Sequence, residues 1–171
     1  EWLGESGLST SALSPAVVDL YKRSLQIIRT QTDNGGAIIA ATDHDVTERA
    51  TDHYAYLWPR DGALVANALD RAGYPHLTRS FFKLCSEIVD SRGYFLQKYN
   101  PDGSVGSGWH ASWDQSRRIP VLPIQQDETA LVLWALWEHY ERNRDIEYIQ
   151  PLYEKLVKPC ADFLIEYRDI E

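Results

Sequence analysis

Apolar side chains recur at helical spacing in five segments of this chain, and this periodicity constrains the fold more than any other feature. The first segment begins after Ser14-Pro15, a typical helix start, and repeats an apolar residue every three or four positions from Val17 to Ile28. Pro159 lies inside the last segment, where we expect it to kink or interrupt the helix. The predicted helices span about residues 15–29, 61–73, 76–90, 126 onwards and 147–168. The sequence therefore predicts an all-α fold.

Short turns and long loops alternate between these predicted helices. One long loop joins the first helix to the second, and another, residues 100–124, joins the third to the fourth. If neighbouring helices run antiparallel, both long loops fall at the same end of the structure. Loops of this length are usually functional or disordered, and the tryptophans Trp109 and Trp113 argue against disorder in the second one. We therefore expect a functional site where the two loops meet.

The first long loop ends in the segment Tyr54-Ala-Tyr-Leu-Trp58-Pro-Arg60-Asp61. Aromatic faces offer sugars a flat apolar surface, and a guanidinium beside a carboxylate offers hydroxyl groups both donors and acceptors in fixed geometry. Each residue also has a purely structural explanation, because Asp61 could cap the second helix and the aromatic rings could belong to the core. The segment as a whole favours carbohydrate binding.

Composition narrows the classes of function. The net charge is -8 and no run of Lys or Arg forms a basic stripe, so nucleic acid is not an expected partner. No apolar stretch approaches the roughly 20 residues needed to span a bilayer, so no membrane partner is expected. The acidic start lacks the basic region of a signal peptide. Since the chain contains no Met at all, we expect it to be a piece of a longer polypeptide.

The cysteines and histidines indicate no metal site. Cys85 and Cys160 both lie in apolar helical patterns, which predicts two buried free thiols. Two cysteines alone make neither a disulfide framework nor a tetrahedral metal site. The five histidines show no ligand spacing. We expect neither a metal nor another cofactor.

Five motifs in a fixed order resemble glycoside hydrolase family 15, the glucoamylases and their prokaryotic relatives. Together they cover nearly the whole chain and are far more specific than any one of them. The motifs are Gly36-Ala-Ile-Ile-Ala-Ala, Tyr54-x-Tyr-x-Trp58-x-Arg60-Asp61, Gly93-Tyr-Phe-Leu-x-Lys-Tyr-Asn-Pro-Asp-Gly103, Gly106-Ser-Gly-Trp-His110 and Pro123-Ile-Gln-Gln-Asp-Glu-Thr-Ala130.

The resemblance implies an (α/α)6 barrel with its substrate pocket at one end. Residues 14–171 would form the N-terminal part of that barrel, about five of its twelve helices, with short strand-like pieces in the loops. Residues 1–13 resemble the end of the linker that follows a β-sandwich domain in prokaryotic members. The family's chemistry is the release of β-glucose from the non-reducing ends of α-glucans with inversion.

The resemblance also implies roles for individual residues. Arg60 and Asp61 match the pair that hydrogen-bonds the hydroxyls of the terminal glucose, and Tyr54 and Trp58 match the aromatic wall of the same pocket. One of Trp109 and Trp113 would support the neighbouring sugar. A pocket-lining segment at the start of a barrel helix corresponds to Gln125, Gln126 and Asp127.

The resemblance implies no catalytic residue within this chain. Inverting hydrolysis needs a carboxylic acid and a carboxylate base roughly 6.5–9.5 Å apart, and both family motifs that supply them are expected beyond Glu171. Asp127 and Glu128 are an unsuitable pair because adjacent helical side chains do not face each other. We therefore interpret both as acids at the start of a helix, with Asp127 also at the pocket rim.

Several functions remain open at this point. The first interpretation is a glucoamylase-like enzyme whose partners are an α-glucan or oligosaccharide and the remainder of the same polypeptide. Trehalase, which shares the scaffold, is an alternative within the family. A non-catalytic α-glucan-binding module and a helical interaction scaffold belong to different classes, and the scaffold leaves the Arg60-Asp61 couplet unexplained.

Overall fold

The structure of the protein is a computed structural model that describes residues 2–6, 8–42, 54–106, 113–114, 119–120 and 122–167. For residues 113–114 and 119–120 it describes the backbone alone. Six helices account for most of this part of the chain: α1 Pro15–Thr30, α2 Pro59–Arg71, α3 Pro75–Ile88, α4 Gln126–Asn143, α5 Ile146–Leu152 and α6 Lys158–Glu166. A 3-10 turn covers Trp2–Gly4, and β1 Trp113–Asp114 pairs antiparallel with β2 Ile119–Pro120. The predicted all-α fold is confirmed.

Proline sets the start of the first three helices. Pro15, Pro59 and Pro75 lie in the first turn, where a missing N–H costs nothing and the fixed φ suits the helix. The predicted start of α2 near Asp61 is two residues late, because Trp58 stays extended and Pro59 already begins the helix. No side chain caps α2 at Trp58. Asp61 therefore lies inside the first turn and is not the cap.

The fifth predicted helix contains a π turn just before Pro159. Between α5 and α6, residues Tyr153–Val157 form a π turn, in which the Lys158 N–H donates to the Tyr153 carbonyl five residues back. Pro159 has no N–H, so a regular α-helix would leave the Lys155 carbonyl without its donor. A wide turn is therefore inexpensive at this position. The chain is not broken at Pro159, because helical residues run without a gap from Ile146 to Glu166; the irregularity expected at the proline takes the form of a π turn just before it.

Helices α2 and α4 form the centre of the structure and run in the same direction. Their N-terminal turns meet, since the Arg60 N–H donates to Glu128 Oε2. Their C-terminal ends also meet, because His139 Nδ1 lies 2.8 Å from Asp70 Oδ2. Two contacts, separated by roughly 15 Å of helix, therefore hold the pair at both ends.

The C-terminal contact is a buried polar cluster inside the core. Asp70, Thr78 and His139 are all buried. The Thr78 hydroxyl donates to Asp70 Oδ1 over 2.7 Å, and His139 Nδ1 donates to the same carboxylate. Phe82 and Tyr148 pack edge-on against the His139 ring. The cluster joins α2, α3 and α4 at one point.

Apolar residues fill the space between these helices. Gly62 lets α3 approach closely, because a Cβ there would come within 2.5 Å of the Phe81 ring. Cys85 and Cys160 are buried free thiols, as predicted, and burial raises the pKa of both. The fully buried core side chains include Leu57, Leu69, Phe81, Phe82, Phe95, Val132 and Leu156.

Other apolar faces lie open. Leu25 is the one buried residue of α1, whereas Leu20 is 65% exposed. On the outer side of α4 and α5 a cavity of about 310 Å³ forms an apolar groove. Its lining includes Leu133, Trp137, Tyr140, Ile149 and Val157. None of the helices in the described part of the chain is both long enough and apolar enough to cross a membrane.

Candidate functional site

Three extended segments, around residues 40–41, 54–57 and 94–99, lie side by side next to the start of α2. The middle segment carries the predicted aromatic site residues. Leu57 and Tyr99 exchange both backbone hydrogen bonds at 2.8 Å, which joins the aromatic segment to residues 94–99. On its other side, the same segment accepts hydrogen bonds from the Ala40 and Ala41 N–H groups. The predicted strand-like pieces in the loops are thus present as isolated bridges.

The aromatic segment forms a wall around Trp58. The rings of Tyr54 and Tyr56 each lie 5.8 Å from that of Trp58, tilted by 32° and edge-on at 87° respectively. Trp58 itself is 6% exposed, whereas Tyr54 is 51% exposed. Tyr54 is therefore the more exposed of the two predicted wall residues.

A buried lysine completes this wall and was missing from the predicted site residues. Lys98 is 2% exposed, and its ammonium lies 4.4 Å from the centre of the Tyr56 ring and 5.8 Å from that of Trp58. Such cation–π contacts are strongest where water is excluded. The available signal was a lysine in the mostly aromatic and apolar stretch from Tyr94 to Tyr99, because buried lysines are rare without a partner.

Arg60 contacts polar side chains at the starts of both helices that follow the long loops. Its Nη1 lies 2.9 Å from Asp127 Oδ2 and donates to Gln125 Oε1 over 3.1 Å, while Nε lies 3.5 Å from Asp61 Oδ2. The Asp61 and Asp127 side chains are 49% and 54% exposed, so both carboxylates remain open to solvent. The structure thus brings together Arg60, Asp61, Gln125 and Asp127 at one end of α2 and α4.

The neighbouring carboxylates stabilise the charged form of the Arg60 guanidinium. Partial burial lowers the pKa of Arg60, but the hydrogen bond to Asp127 and the charges of Glu128, Asp127 and Asp61 outweigh it and raise that pKa. A planar guanidinium in this setting is a fixed donor group.

Glu128 lies beneath this cluster and is fully buried. Its Oε2 accepts the Arg60 N–H over 2.5 Å, and its Oε1 lies 3.4 Å from Arg60 Nη1. Within the described part of the chain, Oε1 has no hydrogen-bond partner. Burial raises the pKa of Glu128 to about 8; the Arg60 hydrogen bond and charge oppose this shift, and the Asp61 and Asp127 charges add to it. The interpretation of Glu128 as a helix-start acid alone is therefore incomplete.

Asp127 and Glu128 differ sharply in their surroundings, since the first is half exposed and the second fully buried. They are not two carboxyl groups that face each other across an open gap. Among the described residues, no group of three histidine, cysteine or carboxylate side chains could hold a metal ion. The arrangement suits hydrogen bonding to a polyhydroxylated ligand.

Three further predicted site residues are Gln126, Trp109 and Trp113. Gln126 is the exposed first residue of α4. Trp109 lies outside the described residues, and Trp113 is described only as a backbone residue of β1. Their predicted role beside a second sugar stays a prediction.

Comparison with known proteins gives a consistent family signal. The model of the family described as "Glycosyl hydrolases family 15" matches residues 16–169. An uncharacterized glycosyl hydrolase (MJ1610) of Methanocaldococcus jannaschii is 27% identical over 148 residues, which are 86% of this chain and 21% of that protein. Trehalase 2 of Sulfolobus acidocaldarius is 25% identical over 160 residues, 83% of this chain and 28% of that protein. The chain thus spans about a quarter of the length of these curated relatives.

Solved structures share the fold. A wild-type glycosidase superposes with a TM-score of 0.66 at 22% identity and covers 95% of this chain and 44% of its own. A variant glycosidase in complex with glucose gives the same TM-score, identity and coverage. This likeness confirms the predicted fold as a partial α/α barrel.

Proposed function

Because the chain belongs to glycosyl hydrolases family 15, we propose that it is part of an exo-acting glucan α-glucosidase. The complete enzyme would release β-glucose from non-reducing ends by inverting hydrolysis, and this chain would supply substrate-binding residues. The observation that supports the proposal most strongly is the Arg60 cluster, in which one guanidinium is held by Asp61, Gln125 and Asp127 beside an aromatic wall.

The cluster has the donors and acceptors that a terminal glucose needs. Asp61 and Asp127 are half exposed and accept hydrogen bonds from hydroxyl groups. Nε and Nη1 of Arg60 serve the contacts with described side chains, and the two N–H groups of Nη2 would donate to hydroxyl groups of the ligand. Acceptance of the 4- and 6-hydroxyls by Asp61 would favour chain ends, because a glucose inside an α-1,4 chain has no free 4-hydroxyl.

The aromatic wall would receive the apolar face of the sugar. Tyr54 is half exposed next to Trp58 and turns a large ring towards solvent. Pyranose C–H groups pack on such rings, and the ammonium of Lys98 behind Tyr56 and Trp58 holds the wall in place.

The general acid and base would lie in the remainder of the polypeptide. Inverting enzymes hold their two carboxyl groups roughly 6.5–9.5 Å apart with room for water between them. In this chain Glu128 is buried against Arg60, and Asp61 and Asp127 are engaged with the same guanidinium. None of the three has the setting of a proton donor to a leaving group.

Trehalase is the second candidate function, and the similarity to a protein named Trehalase 2 favours it. The same cluster would bind one glucose of α,α-trehalose, since both substrates end in an α-linked glucose with free 4- and 6-hydroxyls. The two candidates differ in the group that leaves and not in the glucose that the cluster binds.

The test uses the complete polypeptide that contains this chain, incubated separately with maltoheptaose and α,α-trehalose. Proton NMR of the first product should show β-glucose from maltoheptaose, whereas cleavage of trehalose alone would support the second candidate. Asp61→Asn should lower kcat/KM by about one to two orders of magnitude, the effect of a lost hydrogen bond to a charged group. Asp162→Asn, an exposed acid on α6, is the matched control and should leave kcat/KM unchanged. Absence of glucose from both substrates would refute the proposal.

A further inference from the structure

Glu128 contacts Arg60 at two points. Its carboxyl accepts the Arg60 main-chain N–H at the start of α2 and also lies 3.4 Å from the guanidinium of the same residue. Glu128 belongs to the first turn of α4, and the N–H that its carboxyl accepts belongs to the first turn of α2, so the contact joins the N-terminal turns of the two helices. A single buried side chain thus fixes the backbone position of Arg60 and limits the direction of its side chain.

We propose that Glu128 is a positioning residue for the sugar site, which orients Arg60 and, through it, Asp61 and Asp127 towards the substrate. The inference rests on the proposed function, because it assigns Glu128 a part in presenting the same cluster to the same substrate. Glu128 itself is fully buried, so it would act through Arg60 and not by direct contact with the sugar.

Packing of the two helices does not require this carboxyl. Helices α2 and α4 are held at their other end by Asp70 and His139, and apolar residues fill the space between them. Burying an ionisable group is costly, and an apolar side chain of similar volume often stabilises such a site. A carboxyl at position 128 is therefore a poor choice for packing alone. Its two contacts with Arg60 give it a use that an apolar side chain cannot provide.

Arg60 connects Glu128 to the other polar side chains of the site. Arg60 also contacts Gln125 and Asp127 from α4 and Asp61 from its own helix. If the guanidinium rotated away, Asp61 and Asp127 would lose their shared partner and turn apart. A change at position 128 should therefore weaken substrate binding without touching the reacting atoms.

The experiment compares Glu128→Leu, Glu128→Gln and His139→Leu in the complete polypeptide, with kcat and KM measured for the substrate that the wild type cleaves. Glu128→Leu should raise KM about tenfold or more, the effect of a weakened charge-assisted hydrogen bond, with kcat changed less than about threefold. Glu128→Gln retains an oxygen that accepts the Arg60 N–H and should restore most of the affinity. His139→Leu loosens the same helix pair at its far end and should lower stability while KM stays within about twofold of wild type.

Two results would overturn this role of Glu128. One is an unchanged KM in folded Glu128→Leu, and the other is an equal rise of KM in His139→Leu, which would show that any loosening of the pair has the same effect. If Glu128→Leu does not fold, Glu128→Asp replaces it, because its carboxylate is one methylene too short to reach the Arg60 N–H. A wild-type KM in that variant likewise overturns the role. A wild type that cleaves neither maltoheptaose nor trehalose refutes the proposed function instead.

Discussion

The buried Asp70–His139 pair allows a stability prediction whose magnitude follows from its contacts. Asp70 accepts from His139 Nδ1 at 2.8 Å and from the Thr78 hydroxyl at 2.7 Å, and all three residues are buried. Each hydrogen bond to a charged group contributes about 1.5–3 kcal/mol. Asp70→Leu removes both and leaves the His139 ring buried without its carboxylate, while the Thr78 hydroxyl can still donate to the Pro75 carbonyl, so the variant should cost about 3–5 kcal/mol. His139→Leu removes one and should cost about 2–3 kcal/mol.

The double variant Asp70→Leu/His139→Leu separates the pair from the packing around it. Because no unpaired partner remains between the two positions, it should cost less than the sum of the single variants by about 2 kcal/mol. Urea unfolding followed by tryptophan fluorescence gives the urea concentration at the midpoint for each variant. The shift of this midpoint multiplied by the m-value gives the change in the free energy of unfolding. Asp162→Asn on the exposed side of α6 serves as the control and should stay within about 0.5 kcal/mol of wild type.

Additive effects of the two single variants would refute this reasoning, since independent sites add within about 0.5 kcal/mol. Single variants that each cost less than about 1 kcal/mol would also refute it, because the contacts would then contribute no more than an exposed ion pair.

Three further predictions concern other parts of the molecule. Burial raises the pKa of Glu128 from its ordinary 4.5 to about 8, so its contribution to stability is complete below pH 4.5 and is lost as the pH rises to 8. The unfolding midpoint of Glu128→Gln should therefore change less between pH 4.5 and 8 than that of the wild type. An equal change of midpoint with pH in both proteins would contradict the raised pKa. Gly93 has φ +87° and a Cβ there would overlap the Pro159 carbonyl oxygen, so Gly93→Ala should cost more than the roughly 1–3 kcal/mol of the backbone strain alone. The control Gly4→Ala, with nothing within 4 Å of the added Cβ, should be neutral in the same melts. Finally, the isolated 171-residue chain should bind a hydrophobic dye at its apolar groove, and a monomer that melts cooperatively without binding dye would show that the groove needs no cover.

Local sequence signals predicted the helices well because their ends are determined by neighbouring residues. Pro15 and Pro75 begin α1 and α3 within a residue of the predicted starts, and α4 begins at Gln126 as expected. The start of α2 was predicted less well, since the aromatic Trp58 gives no cap signal. The π turn escaped prediction because its hydrogen bonds depend on how the rest of the helix is anchored in the core.

The candidate site divides in the same way. The alternation of short turns and long loops predicted that Arg60 and Asp127 would meet, and the structure places their side chains 2.9 Å apart. The burial of Glu128 could not be predicted, because the partner of its carboxyl is the backbone N–H of Arg60, 68 residues away in the sequence. Lys98 was overlooked for a related reason, since its aromatic partners Tyr56 and Trp58 come from a distant segment. Which individual atoms of Glu128 and Lys98 meet distant partners is visible only once the chain is folded.

The π turn at Tyr153–Val157 also affects how this chain should be aligned with its relatives. A wide turn holds one residue more than an α-helical turn, so it behaves as a single-residue insertion absorbed within a continuous helix. Leu152, Leu156 and Cys160, which lie before, within and after the π turn, are all buried on the inner side. In a relative that lacks one residue here, this segment would therefore form a regular α-helix whose buried face still packs on the core. A one-residue gap inside this helix is thus compatible with an unchanged fold, whereas replacing Pro159 would restore a hydrogen-bond donor and leave the extra residue in place.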